Sequence, residues 1–131
     1  MSKAVEPAKI RKVGSDLVDI KVEGFLGEAD GGYLRDVAAL LAEQPDKMFV
    51  LYDLSGLTGF YQGQVMAHAR AYAEMAPKVH AIAATHVTAA VRFGIVTVAL
   101  FTQLTVKGFA TRKEGEAWIA SLRDSGVSRA V

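Results

Sequence analysis

Hydrophobic and polar positions change period several times along the chain, and each change marks an element. Val18, Ile20 and Val22 alternate with Asp19, Lys21 and Glu23, the period-two pattern of a strand with one buried face. Ahead of them, residues 9–13 predict a short strand, and Gly14-Ser15-Asp16 a turn, so the two runs pair as an antiparallel hairpin. Over residues 28–43 the period lengthens. Tyr33, Leu34, Val37, Leu40 and Leu41 share one helical face, and Gln44-Pro45-Asp46 ends the helix because the residue before proline avoids helical dihedrals. Residues 48–52 form an unbroken apolar run, too short for a helix, which predicts a strand covered on both faces.

Residues 53–59 predict a turn-rich loop. A helix over 62–75 follows, with Val65, Met66, Ala69, Tyr72 and Ala73 inward and Pro77 closing it. Residues 79–84 predict another buried strand, 86–102 an apolar helix, and 104–109 the last strand. Thr111-Arg112-Lys113-Glu114 matches a capping box, opening a helix with Trp118, Ile119 and Leu122 inward that ends near Gly126. Alternating strands and helices predict an α/β fold, a mixed, largely parallel sheet of four to five strands with four helices. The expected layout is a flexible leader (1–8), a single domain (9–126) and a tail (127–131).

The stretch Asp53-Leu-Ser-Gly-Leu-Thr-Gly-Phe60, between a buried strand and a helix, resembles the STAS-like family of bacterial anti-sigma-factor antagonists. It is most similar to the SpoIIAA-like, or STAS/Sec14-like, branch. The order of elements agrees from about Leu17 to Leu122, and the stretch from Phe109 to Trp118 is similar to that branch's last strand and final helix. The resemblance implies a small regulatory protein-interaction module, switched in some relatives by phosphorylation of a serine in an Asp-Ser-Ser-Gly stretch. Here the corresponding residues read Tyr61-Gln62-Gly63-Gln64, and Gly63 stands at the acceptor position. The usual phosphoacceptor serine is therefore lacking. A partner-facing loop of Asp53, Ser55, Gly56, Thr58, Gly59, Tyr61 and Gly63 is the implied site.

Composition narrows the alternatives. Lys and Arg number 15 against 14 Asp and Glu, a balance that gives no electrostatic reason to expect nucleic acid. With no cysteine, a thiolate nucleophile and a Cys-ligated zinc are excluded. His68, His80 and His86 lack the i, i+4 spacing of a metal pair, so no metal or other cofactor is expected. Ser55 has no identifiable base and Gly-x-Ser-x-Gly is absent, so no catalytic residues are assigned and the protein reads as a non-enzyme. Glycines 56, 59 and 63 precede a helix start, but no phosphate-loop or dinucleotide fingerprint accompanies them. Asp53, Thr85 and Lys107, each at or near a strand end, resemble the order in two-component receivers, which leaves an aspartyl-phosphate switch at Asp53 as one alternative. Its magnesium ligands would have to come from Glu28 or Asp30.

The apolar helix adds the most. Residues 87–101 are too short to span a bilayer and carry Arg92 in their middle. On a helical wheel Thr88, Arg92, Thr102 and Gln103 make a polar arc that Ile95, Val96 and Ala99 interrupt, leaving more apolar surface than one sheet can cover. That surplus predicts burial by neighbouring helices, a homodimer interface, or a pocket for a small hydrophobic, lipid-like ligand, with Phe93, Ile95, Val96 and Leu100 as its residues. The N-terminus lacks the apolar run of a signal peptide, which makes a cytoplasmic location the expectation. The leading expectation is a self-associating regulatory module with a protein partner; a carrier or sensor of a hydrophobic ligand is the alternative.

Overall fold

The computed structural model describes residues 8–125, so the expected leader (1–7 of it) and tail lie outside the described residues. Strands β1 (Ala8–Val13) and β2 (Leu17–Leu26) form the expected antiparallel hairpin, with Val13 opposite Leu17 and Gly14 at φ +62° making the tight turn. The chain continues through a 3₁₀ turn (Asp30–Gly32), α1 (Tyr33–Ala42), β3 (Met48–Phe60), α2 (Gly63–Met75), a second 3₁₀ turn (Ala76–Lys78), β4 (Val79–Thr85), α3 (Ala89–Thr102), β5 (Val106–Phe109) and α4 (Arg112–Asp124). The five strands lie in the order β1-β2-β3-β4-β5, and all pairs after the hairpin are parallel. Three crossovers step the same way across the sheet. Their shared handedness puts α1, α2 and α3 on one face and leaves the other to α4.

Strand alternation sorts the core into two layers. Val18, Ile20, Val22, Val50, Tyr52, Ile82 and Ala84 face α1–α3, whereas Leu17, Phe49, Leu51, Ala81 and Ala83 face Ile119, Trp118 and Leu122 of α4. The Thr111–Glu114 capping box forms as the sequence predicts. Gly115 is required by the close approach of α4, since a Cβ there would lie 2.6 Å from Thr85 Cγ2.

Four expectations need correction. Residues 53–59 are not a loop but the distal half of β3, paired with β2 from Glu23 to Leu26. Two register shifts each insert one extra residue into β3, so the inward positions become Leu54, Leu57 and Phe60, spaced by three. That spacing hides the strand from a period-two reading. Asp19, expected on a solvent face, is 6% exposed because Arg11 and Arg112 enclose it. Helix α3 starts three residues later than expected: His86 has φ +60°, and Thr88 then caps the helix by accepting from Val91 N–H. Finally, neighbouring helices do not bury α3, whose outer face stays exposed.

Candidate functional site

Helix α3 presents two apolar faces. Val91, Gly94, Ile95 and Val98 turn inward, Gly94 being its one fully buried residue. Phe93, Val96, Leu100 and Phe101 turn outward at 70, 53, 76 and 50% exposure. They are four of the seven exposed large hydrophobic residues among those described, so exposed apolar surface is concentrated on this helix. Of the predicted interface residues, Phe93, Val96 and Leu100 therefore share the outer face, while Ile95 belongs to the inner one.

Beneath the inner face lies a cavity of about 130 Å³, between the sheet and helices α2 and α3. Its walls are mostly aliphatic, with half-buried Leu54, Leu57 and Phe60 on the β3 side. Polar groups come from elements that sequence reading did not bring together: Tyr33 at the start of α1, Tyr52 in β3, and Gln64, His68 and Tyr72 in α2. They form a single hydrogen-bonded chain. His68 Nδ1 lies 2.8 Å from Gln64 O, and Nε2 lies 2.6 Å from the Tyr33 hydroxyl. The Tyr33 and Tyr52 hydroxyls are 2.9 Å apart, and those of Tyr52 and Tyr72 are 2.6 Å apart.

The direction of the chain follows from valence. A carbonyl only accepts, so His68 Nδ1 carries a proton and donates to Gln64 O. Burial pushes the His68 pKa down against the opposing backbone hydrogen bond, so the ring is neutral and Nε2 is an acceptor. Tyr33 must then donate to His68, Tyr52 to Tyr33, and Tyr72 to Tyr52. Burial foremost raises all three tyrosine pKa values, keeping the hydroxyls protonated. Every proton in the chain is used internally, and the Tyr72 oxygen receives none from it. Gln64 adds a further acceptor. Its Nε2 donates to Gly27 O (2.6 Å) and Glu28 O (3.2 Å), while Oε1, buried against Gly31, has no partner among the described residues.

The predicted loop residues gather at the far end of β3. Ser55 and Thr58 are exposed between the inward residues Leu54, Leu57 and Phe60, and Gly56 and Gly59 sit beside the register shifts. Asp53 accepts from Ser55 N–H at 3.0 Å. Burial alone would raise its carboxyl pKa, but the Ser55 hydrogen bonds and nearby Lys21 and His86 outweigh that and bring it below the usual value. Gly63 opens α2 with the Tyr61 ring over it; a Cβ at Gly63 would fall 2.5 Å from Tyr61 Cε2. The aromatic ring thus occupies the place that a side chain at Gly63 would take.

The receiver arrangement does not form. The sheet order is not the 2-1-3-4-5 of flavodoxin-like receivers, and the buried Thr85 hydroxyl is committed to Tyr52 O at 2.9 Å. Asp30, a candidate magnesium ligand, instead accepts from Gly27 N–H at 2.7 Å. Among the described residues no group of three or more His, Asp or Glu side chains is placed to hold a metal ion, and no helix is long and apolar enough to cross a membrane.

No family model and no curated protein sequence matches the chain. Solved structures do. An uncharacterized protein of the DUF3478 family from Shewanella loihica PV-4, with a SpoIIAA-like fold, aligns with TM-score 0.64 and 16% identity over 90% of this chain and 98% of that one. The anti-sigma factor antagonist SpoIIAA in its unphosphorylated form aligns with TM-score 0.57 and 13% identity over 86% of this chain and 97% of that one. The chain has the SpoIIAA-like, STAS-type fold that the Asp53–Phe60 resemblance implies.

Proposed function

We propose that the protein is a non-enzymatic regulatory module that works by protein–protein contact, and that the outer face of α3 seats a second copy of the chain. The observation that carries this reading is the row of Phe93, Val96, Leu100 and Phe101, which gathers four of the seven exposed large hydrophobic residues among those described onto one helix. These four side chains expose on the order of 400 Å², within the range of the largest patch on a typical monomer and about half of what each partner buries in a standard interface. Arg92 is the one charged residue of α3. A patch with so little charge suits an isologous homodimer core better than a transient heterologous contact, which is more polar.

The SpoIIAA-like fold supports a regulatory protein-binding role, because the solved SpoIIAA is an anti-sigma factor antagonist. Gly63 at the acceptor position, beneath Tyr61, favours a module that works without seryl phosphorylation there. Ser55, Thr58 and Tyr61, exposed at the far end of β3, are proposed as the surface for a second, heterologous protein. Light scattering on a sizing column tests the self-association. The wild-type chain should elute at twice its own mass and Leu100→Glu at the monomer mass, whereas a monomeric wild type at every concentration would remove the claim.

A further inference from the structure

The cavity beneath α3 carries an inference separate from self-association. Three buried tyrosines, His68 and Gln64 are gathered in an otherwise aliphatic pocket, and their protons all run one way, from Tyr72 to the Gln64 carbonyl. The Tyr72 oxygen at its start receives no proton from the chain, and near its other end Gln64 Oε1 is buried without a partner among the described residues. Buried polar groups are ordinarily satisfied, so unfilled acceptors on a cavity wall point to a group that brings a proton to them.

We infer that this cavity is a binding site for a small, uncharged, mainly apolar molecule carrying a hydroxyl or N–H donor. Volume sets the size: an apolar cavity of about 150 Å³ holds benzene, and this one is about 130 Å³. Ring-sized alcohols and phenols fit that description. The lining sets the charge. It includes no Lys or Arg to neutralise a carboxylate or phosphate, and its oxygens would repel an anion. Hydrogen-bond polarity sets the functional group, because a ligand offering only acceptors finds no free donor in the tyrosine chain.

Three probes of similar size and different chemistry test the assignment, read by titration of the protein's amide and methyl NMR signals. Phenol should give a saturable response centred on cavity residues. Toluene, of equal size but without a donor, should bind at least tenfold more weakly, and benzoate should not bind. Val98→Phe, which fills the cavity from α3, should abolish the phenol response with the circular dichroism unchanged. Leu100→Glu, on the outer face, should leave the phenol response intact even where it dissociates the dimer, so the site and the self-association fail separately. Toluene binding as tightly as phenol, tighter binding of benzoate, no response to phenol up to its solubility, or a response that survives Val98→Phe would each overturn the inference.

Discussion

Tyr52→Phe removes the hydroxyl at the centre of the buried chain, and its effect can be worked out bond by bond. The change deletes one oxygen and leaves the ring, so packing is nearly unchanged. Two hydrogen bonds go: the one Tyr52 accepts from Tyr72 and the one it donates to Tyr33. The Tyr72 proton is then stranded in a residue that is 2% exposed, and a buried donor without a partner costs roughly 1–3 kcal/mol beyond the modest worth of an ordinary hydrogen bond. The expected loss is about 3 kcal/mol. Tyr33→Phe should match it, since it strands the Tyr52 proton and the His68 acceptor. Tyr72→Phe differs because Tyr72 only donates; its removal strands no proton and should cost about 1 kcal/mol. Urea unfolding followed by circular dichroism measures all three. With a slope of about 1.5 kcal/mol per M, the midpoint falls by about 2 M for Tyr52→Phe and about 0.7 M for Tyr72→Phe. If the protons ran the other way, Tyr72→Phe would strand the Tyr52 donor. Equal losses for Tyr52→Phe and Tyr72→Phe would therefore refute the direction argued here.

Other consequences follow from single contacts. Asp19→Asn keeps the shape but removes the charge that Arg112 grips with two nitrogens (3.2 and 2.9 Å) and Arg11 with two more; both guanidiniums are part exposed, so the loss in urea unfolding should be about 2 kcal/mol. Gly115→Ala favours the helix locally but forces a methyl against Thr85 and Leu51, and overpacking should prevail with a net loss of about 1–2 kcal/mol. Burial, foremost, lowers the pKa of both His68 and His80 below the ordinary 6.5, so below that pH the unfolded chain binds more protons than the folded one. Stability is thus fully present above about pH 6.5 and falls as pH drops toward the folded-state values, and the urea midpoint should decline from pH 7.5 to pH 5. His80→Gln should retain His68's share of the decline; a midpoint that rises over that interval contradicts the assignment.

The fold was legible wherever burial has a single period. The β2 alternation, the two buried strands and the Thr111 capping box each carry a local signal that tertiary structure does not override. The distal half of β3 was not legible, because two inserted residues turn a period of two into a spacing of three that reads as a loop. Asp19 looked like any polar residue on an alternating strand; Arg112, ninety-three positions away, joins Arg11 in enclosing it. The outer face of α3 was legible as an excess of apolar residues, though not as exposed. The tyrosine chain was half visible. Tyr33, Tyr52 and Tyr72 all fall on inward positions, and a buried phenol needs a partner for its hydroxyl. What the pattern lacks is the three-dimensional step that sets residues from α1, β3 and α2 side by side.

Hydrogen exchange in wild-type protein and Leu100→Glu tests the central claim most directly, since it reports which surface a second copy covers. Amides of residues 89–102 should exchange more slowly in the wild type, increasingly so as its concentration rises, while α4 on the opposite face exchanges alike in both proteins. Equal exchange of α3 at all concentrations, or protection confined to α4, would contradict the account.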